Sequence, residues 1–218
     1  MKGLELPHGG LVLRSFFVLG VALAAFFAGQ RFAAYQGSRD PAFHDMRVLS
    51  PDALCAMIAP EDAAVVELAR RLGTIEEAYL FVRDQLAYDA DLPAAPHAET
   101  LAKGEAGCVS KATLLASLYR ALGMQSSQVR VVTGQVMYED GPMDHAWLEV
   151  EHLGDCLQQD ATTLLGRFAF DEFKDTAFTR TYIGRELFTF SDRDFAVVSK
   201  LNRFRGVANP HMPTAPKP

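Results

Sequence analysis

The chain has 218 residues and a formal net charge of -6, with 49% hydrophobic and 22% charged residues. That length holds one domain of ordinary size with terminal extensions, and a core of that size closes without disulfides or metal. The acidic balance argues against a nucleic-acid partner, which needs a basic surface to replace phosphate counterions.

Residues 1–35 read as an N-terminal hydrophobic segment. Within it, the run 11–29, LVLRSFFVLGVALAAFFAG, carries no charge from Phe16 to Gly29. A spanning helix needs about 17 to 25 apolar residues, and a secretory core about 7 to 15, so two exported readings are open. One is an uncleaved signal anchor that brings the protein to a membrane. The other is a signal peptide cleaved near Ala22-Leu23-Ala24. Both place the folded part in a bacterial cell envelope or periplasm. A buried helix of a cytosolic protein is a third reading, but the run lacks the polar face of a surface helix. Lys2, Arg14, Arg31 and Arg39 flank or enter the run too evenly to set an orientation.

Residues 36–51 read as a linker and 52–205 as the folded domain. The stretch 206–218 holds Pro210, Pro213, Pro216 and Pro218 and reads as a Pro-rich tail. In the domain, Pro60, Glu61 and Asp62 announce a helix whose apolar face is Val65, Leu68, Ala69 and Leu72, ending at Gly73. Thr74 and Glu77 form a capping-box pair for a second helix, with Ala78, Phe81, Val82 and Leu86 at helical spacing. Pro93 and Pro96 exclude a helix before Glu99. Val109 to Leu122 reads as a third helix, with Leu114, Leu115, Leu118 and Leu122 on one face. The period then changes. Val129, Val131 and Thr133 alternate along one strand, Ala146, Leu148 and Val150 along another, and Cys156 to Asp160 form a third. Helices followed by an antiparallel meander give an α+β fold, with helices packed on an antiparallel sheet.

Three residues carry chemistry. Cys108 opens the third helix behind Gly107, and a helix N-terminus stabilises a thiolate. His145 starts the second strand and Asp160 ends the third, so a hairpin brings the two together. Cys108 is then the nucleophile, His145 its base and Asp160 the group that orients the imidazole, which is the logic of acyl transfer. A cysteine buried only for packing is the plainer reading of Cys108 taken alone. The three cysteines, Cys55, Cys108 and Cys156, leave at least one thiol outside any internal disulfide. No CxxC pair, zinc-like spacing or phosphate-cradling glycine motif occurs, so neither metal nor cofactor is expected.

The stretches GEAGCVSKATLLASLYRALGM and DHAWLEVEHLGDCLQQDAT resemble the transglutaminase-like superfamily. There the cysteine opens a helix after glycine, the histidine lies in an H-[AS]-W-x-E-V strand, and the aspartate stands in D-x-[TS]. Gly107-Cys108, His145-Ala146-Trp147-Leu148-Glu149-Val150 and Asp160-Ala161-Thr162 match in that order. The segment EEAYLFVRDQLAYDADLPAAPHAETL also resembles the family's helix and loop before the cysteine. One departure stands out: Cys156 occupies a position often held by tryptophan. The resemblance implies a papain-like transglutaminase core. It also implies a cysteine-dependent hydrolase or acyltransferase, protease-like, acting on protein or peptide amides through a thioester. The alternative is a non-enzymatic binding or assembly module on the same fold.

Further residues have open roles. Trp147 is either a wall of the site or core packing. Gln85 or Tyr88 is a candidate oxyanion donor. Lys111 either tunes Cys108 or is simply solvated. His44, His97, His152 and His211 read as surface residues. Glu139, Asp140 and Asp144 read as an acidic rim or an ordinary turn. Cys55 and Cys156 are a possible disulfide pair. Residues 164–205, with Phe168, Phe170, Phe173 and Phe178, either cover the core or line the cleft.

Overall fold

The computed structural model describes residues 49–138 and 141–201. The hydrophobic segment 1–35, most of the linker, the acids Glu139 and Asp140, and the Pro-rich tail lie outside the described residues. Among the described residues no helix is long and apolar enough to cross a membrane.

Helix α1 spans Pro51–Cys55, α2 Ala63–Leu72 and α3 Ile75–Gln85. Asp62 caps α2 by accepting from the backbone N–H of Ala64 at 2.9 Å and of Val65 at 3.3 Å, so it stands before the first turn rather than in it. Thr74 caps α3 by accepting from the N–H of Glu77 at 3.1 Å. Strand β1 (Ala87–Tyr88) runs parallel to β2 (Glu105–Ala106), with helix α4 (His97–Lys103) between them in sequence. The chain turns helical at once after Pro96, where proline excludes a preceding turn but not a following one.

Helix α5, Cys108–Ala121, is the centre of the fold and is buried on all sides from Cys108 to Tyr119. Its polar residues are therefore satisfied internally. Thr113 Oγ1 donates to the Val109 carbonyl at 2.9 Å, and Ser117 Oγ to that of Thr113 at 2.7 Å.

A five-stranded antiparallel sheet follows, in the order β5-β4-β3-β6-β7. The strands are β3 (Val129–Tyr138), β4 (Gly141–His152), β5 (Asp155–Gln159), β6 (Ile183–Phe190) and β7 (Phe195–Leu201). Strand β5 is regular across Cys156, which pairs with Glu151 and accepts from the Asp175 N–H at 2.6 Å. The family departure at Cys156 leaves that strand intact.

The two faces of the β3–β4 hairpin follow the two-residue period. Val131 pairs with Leu148 and Val129 with Val150, and these join the cluster formed with α2, α3 and α5. Val132 pairs with Trp147 in a second cluster. That cluster is closed by the segment after β5 and by helix α6 (Ala177–Tyr182). Phe168, Phe173, Phe178 and Tyr182 pack there with ring centroids 4.8–6.2 Å apart, and Phe178 lies 5.7 Å from Trp147. Phe170 turns instead to Tyr79, edge-on at 5.9 Å. The phenylalanine-rich stretch thus covers the core.

Candidate active site

The nucleophile candidate is set by two local constraints. Parallel pairing of Tyr88 with Ala106 fixes the strand that leads into Gly107 and Cys108. Gly107 is the N-cap of α5, and a Cβ there would lie 2.6 Å from the Leu92 carbonyl oxygen, so only glycine fits. Cys108 then begins α5, with the helix's unpaired N–H groups around it.

His145 lies in β4 opposite Gly134. A Cβ on Gly134 would lie 2.4 Å from the Arg185 carbonyl oxygen and 2.9 Å from the Trp147 ring. Glycine at this position leaves room for the indole. Trp147 and His145 lie nearly parallel, at 18° with centroids 6.5 Å apart. Trp147 is therefore core and site wall at once.

Asp160 follows β5. Its Oδ2 accepts from His145 Nε2 at 2.9 Å, and its Oδ1 from the Thr162 N–H at 2.8 Å. Its backbone carbonyl accepts from the Tyr79 hydroxyl at 3.1 Å. With Nε2 committed to Asp160, Nδ1 of His145 finds no nitrogen or oxygen partner. Cys108 lies close enough to the imidazole to help raise its pKa. The structure thus joins His145 directly to Asp160 and brings Cys108 near the same imidazole.

All three groups are shut off from water, with Cys108 1%, His145 0% and Asp160 1% exposed. Burial pulls the His145 pKa down, but the Asp160 charge, its hydrogen bond and Cys108 outweigh that and raise it to about 10. Burial likewise pushes Asp160 up, but His145 and the Thr162 bonds hold it below its ordinary value. Both shifts favour the charged forms, an imidazolium beside a carboxylate.

Several neighbours differ from expectation. Lys111 is not solvated. It is fully buried, its Nζ donates to the Leu86 carbonyl at 2.7 Å, and burial lowers its pKa to about 8 against the pull of Asp160 and Asp84. A lysine one turn into α5 faces inward because that whole helix does.

His97 is buried rather than exposed, with Nε2 2.8 Å from Ser117 Oγ, and burial lowers its pKa. His152 is half-buried with its ring edge-on to Phe170 at 5.8 Å, while His44 and His211 lie outside the described residues.

Asp144 is buried and accepts from Gln135 Nε2 at 3.1 Å, so it is no exposed rim. Gln85 is exposed at the end of α3, whereas Tyr88 sits half-buried beside Ala106, just before the Cys108 turn. Cys55 and Cys156 are both half-buried and neither forms a disulfide.

Sequence reasoning missed Tyr79, whose hydroxyl reaches Asp160 across 81 residues. Its helical spacing gives no sign of that bond. Thr162 was visible only as the third letter of Asp-Ala-Thr.

The sequence pattern of the transglutaminase-like superfamily matches residues 64–158. Comparison with curated proteins returns no match. Among solved structures, this chain is similar to calcium-bound LapG of Legionella pneumophila, with 13% identity over 64% of this chain and 77% of LapG and a TM-score of 0.44. A second LapG structure from the same organism gives 13% identity over 68% and 86%, with a TM-score of 0.45. A Cytophaga hutchinsonii protein described as a candidate cysteine protease gives 16% identity over 71% and 59%, with a TM-score of 0.41.

Proposed function

We propose that the chain, whose residues 64–158 match the sequence pattern of the transglutaminase-like superfamily, is a cysteine-dependent hydrolase or acyltransferase of protein or peptide amide bonds. Cys108 is its nucleophile, His145 its acid and base, and Asp160 its orienting carboxylate. One observation carries this reading: His145 is held by Asp160 through Nε2 at 2.9 Å while Cys108 engages the same imidazole.

The steps follow from that arrangement. The Cys108 thiolate adds to the amide carbonyl, and the N–H groups of the first turn of α5 face the oxygen that gains charge. His145 gives its proton to the departing amine, and the C–N bond breaks to leave a thioester on Cys108. Neutral His145 then takes a proton from water or an amine, which attacks the thioester and releases the thiolate. Water is always at hand, whereas transfer to an amine requires a second groove, so hydrolysis is the main reaction. Within the same proposal, residues 52–205 form the catalytic domain, and the apolar run 11–29 carries it to the cell envelope as an anchor or export signal.

One observation favours a second reading, a binding module that does no chemistry: the Cys108 thiol is only 1% exposed. The two separate on profiling of native membranes that hold either the wild type or Cys108→Ala, with identification of protein termini and amide products. An enzyme generates products that the variant does not. Identical profiles favour the binding module.

A further inference from the structure

The proposed reaction gives no role to Lys111. That side chain is 0% exposed, and its Nζ donates to the Leu86 carbonyl at 2.7 Å. Burial lowers its pKa to about 8, which still favours the ammonium at pH 7. An ammonium in the interior is costly to desolvate, and a methionine would fill the same place without that cost.

Lys111 stands next to the nucleophile. Its N–H donates to the Gly107 carbonyl at 3.0 Å, which closes the first turn of α5 around Cys108. Residues three apart on a helix are neighbours on its surface, so Lys111 and Cys108 share a face. The side chain crosses from that turn to Leu86, where α3 ends and β1 is about to begin. The Ala87 N–H donates to the Gly104 carbonyl at 2.8 Å and the Asp89 N–H to that of Ala106 at 3.2 Å, which holds the strand leading into Cys108. Helix α3 also carries Tyr79, whose hydroxyl donates to the Asp160 carbonyl at 3.1 Å. The ammonium therefore ties the Cys108 turn to the helix that helps to place Asp160.

The charges around Lys111 then decide the matter. It feels Asp160, from the segment after β5, more strongly than Asp84 of α3. Asp84 is already paired with Arg83 at 2.6 Å and with Arg167 at 2.5 Å. Tyr79 stays neutral, because burial pushes its hydroxyl well up. What is left is Asp160, the His145 bonded to it, and Cys108 one turn back. A cluster shut off from water is most stable when its charges cancel. With Lys111 and His145 as cations and Asp160 as an anion, they cancel when Cys108 is a thiolate. Without Lys111 they cancel when Cys108 is a thiol. The balance also survives the reaction: in the thioester Cys108 and His145 are both neutral, and Lys111 faces Asp160.

We propose that Lys111 is a positioning residue of the active site, whose buried ammonium makes the thiolate the charge-balanced state of Cys108 and stays as the counter-charge of Asp160 once His145 has given up its proton. This rests on Cys108 being the nucleophile and His145 its base.

The test uses the full-length chain and the rate of iodoacetamide alkylation at each cysteine at pH 7, resolved by peptide mass mapping. The thiolate forms the S–C bond as iodide leaves. Lys111→Met removes the charge and the donor. Lys111→Gln keeps a donor without the charge, and Lys111→Arg keeps both. The Cys108 rate is expected to fall about tenfold in the Met and Gln variants and to stay within about threefold of the wild type in the Arg variant. Cys55 and Cys156 hold their rates in all three, which shows the fold intact. A role in packing alone leaves Cys108 unchanged in Lys111→Met, and a role as hydrogen-bond donor alone leaves it unchanged in Lys111→Gln. Either result overturns the proposal, as does a loss in Lys111→Arg equal to that in Lys111→Met. If His145→Ala still slows Cys108 in that case, the nucleophile reading stands without Lys111. If iodoacetamide does not modify Cys108 in the wild type, both fall.

Discussion

Oδ2 of Asp160 lies 2.9 Å from Nε2 of His145, and neither side chain touches water. A charged pair this deep is costly to desolvate, and packing alone would be served as well by apolar residues. What the pair provides is a fixed, protonated imidazole beside Cys108.

That protonation has a pH signature. The His145 pKa is raised to about 10 from an unfolded value near 6.5, so its stabilisation is complete below about 6.5 and lost as pH rises toward 10. The Asp160 pKa is lowered, so its stabilisation is complete above about 3.9 and lost as pH falls below that. From this pair the melting temperature gains most between those limits and declines above them. Asp160→Asn removes the carboxylate charge, and its melting temperature is expected to fall less steeply between pH 7 and 10 than that of the wild type.

Lys111 works in the opposite sense. Its folded pKa, lowered to about 8, lies below an unfolded value near 10.4, so the unfolded chain binds the extra proton between those values. Folding therefore gains stability from this residue as pH rises from 8 to 10.4. Compared by calorimetry, the wild type should gain on Lys111→Met over that interval. A constant difference would mean that the buried ammonium never loses its proton.

Tyr79→Phe removes a hydroxyl that contacts the carbonyls of Asp160 and Phe168, each at 3.1 Å. The Phe168 carbonyl keeps Arg83 as a donor, whereas the buried Asp160 carbonyl loses this one, so the loss should cost about 1–3 kcal/mol in urea unfolding. A midpoint equal to the wild type would show that water reaches the Asp160 carbonyl.

Gly134→Ala places a methyl 2.4 Å from the Arg185 carbonyl oxygen and 2.9 Å from the indole of Trp147. Both the Arg185 carbonyl and the ring must give way, at about 1–3 kcal/mol of overpacking or more. Trp147 is the sole tryptophan of the chain, so intrinsic fluorescence reads its displacement directly. An emission spectrum unchanged from the wild type would contradict the close packing.

The parts legible in the sequence are those where local pattern and tertiary role agree. Helix α5 starts within a residue of its expected place, because Gly107 and the leucine spacing both mark it. The β3–β4 hairpin follows its two-residue alternation, and the His-Ala-Trp-Leu-Glu-Val run places His145 in β4. Strands β6 and β7 were not legible. Register shifts at Thr133/Gly134 and Gln135/Val136 break the period of β6, so its burial does not alternate. The inward turns of Lys111 and His97 were hidden for another reason. Each is a polar residue hydrogen-bonded to a partner distant in the chain, Leu86 for one and Ser117 for the other. Spacing along a helix carries no trace of such a partner.

The central claim is that His145 makes Cys108 the reactive thiol. Its most direct test is the rate of iodoacetamide alkylation at Cys108, Cys55 and Cys156 at pH 7 in the wild type and in His145→Ala, resolved by peptide mass mapping. Any closure of the site affects both proteins alike, so the comparison isolates the imidazole. The account predicts that the Cys108 rate falls by about tenfold or more in His145→Ala while the other two thiols hold their rates. Equal Cys108 rates in the two proteins would contradict it.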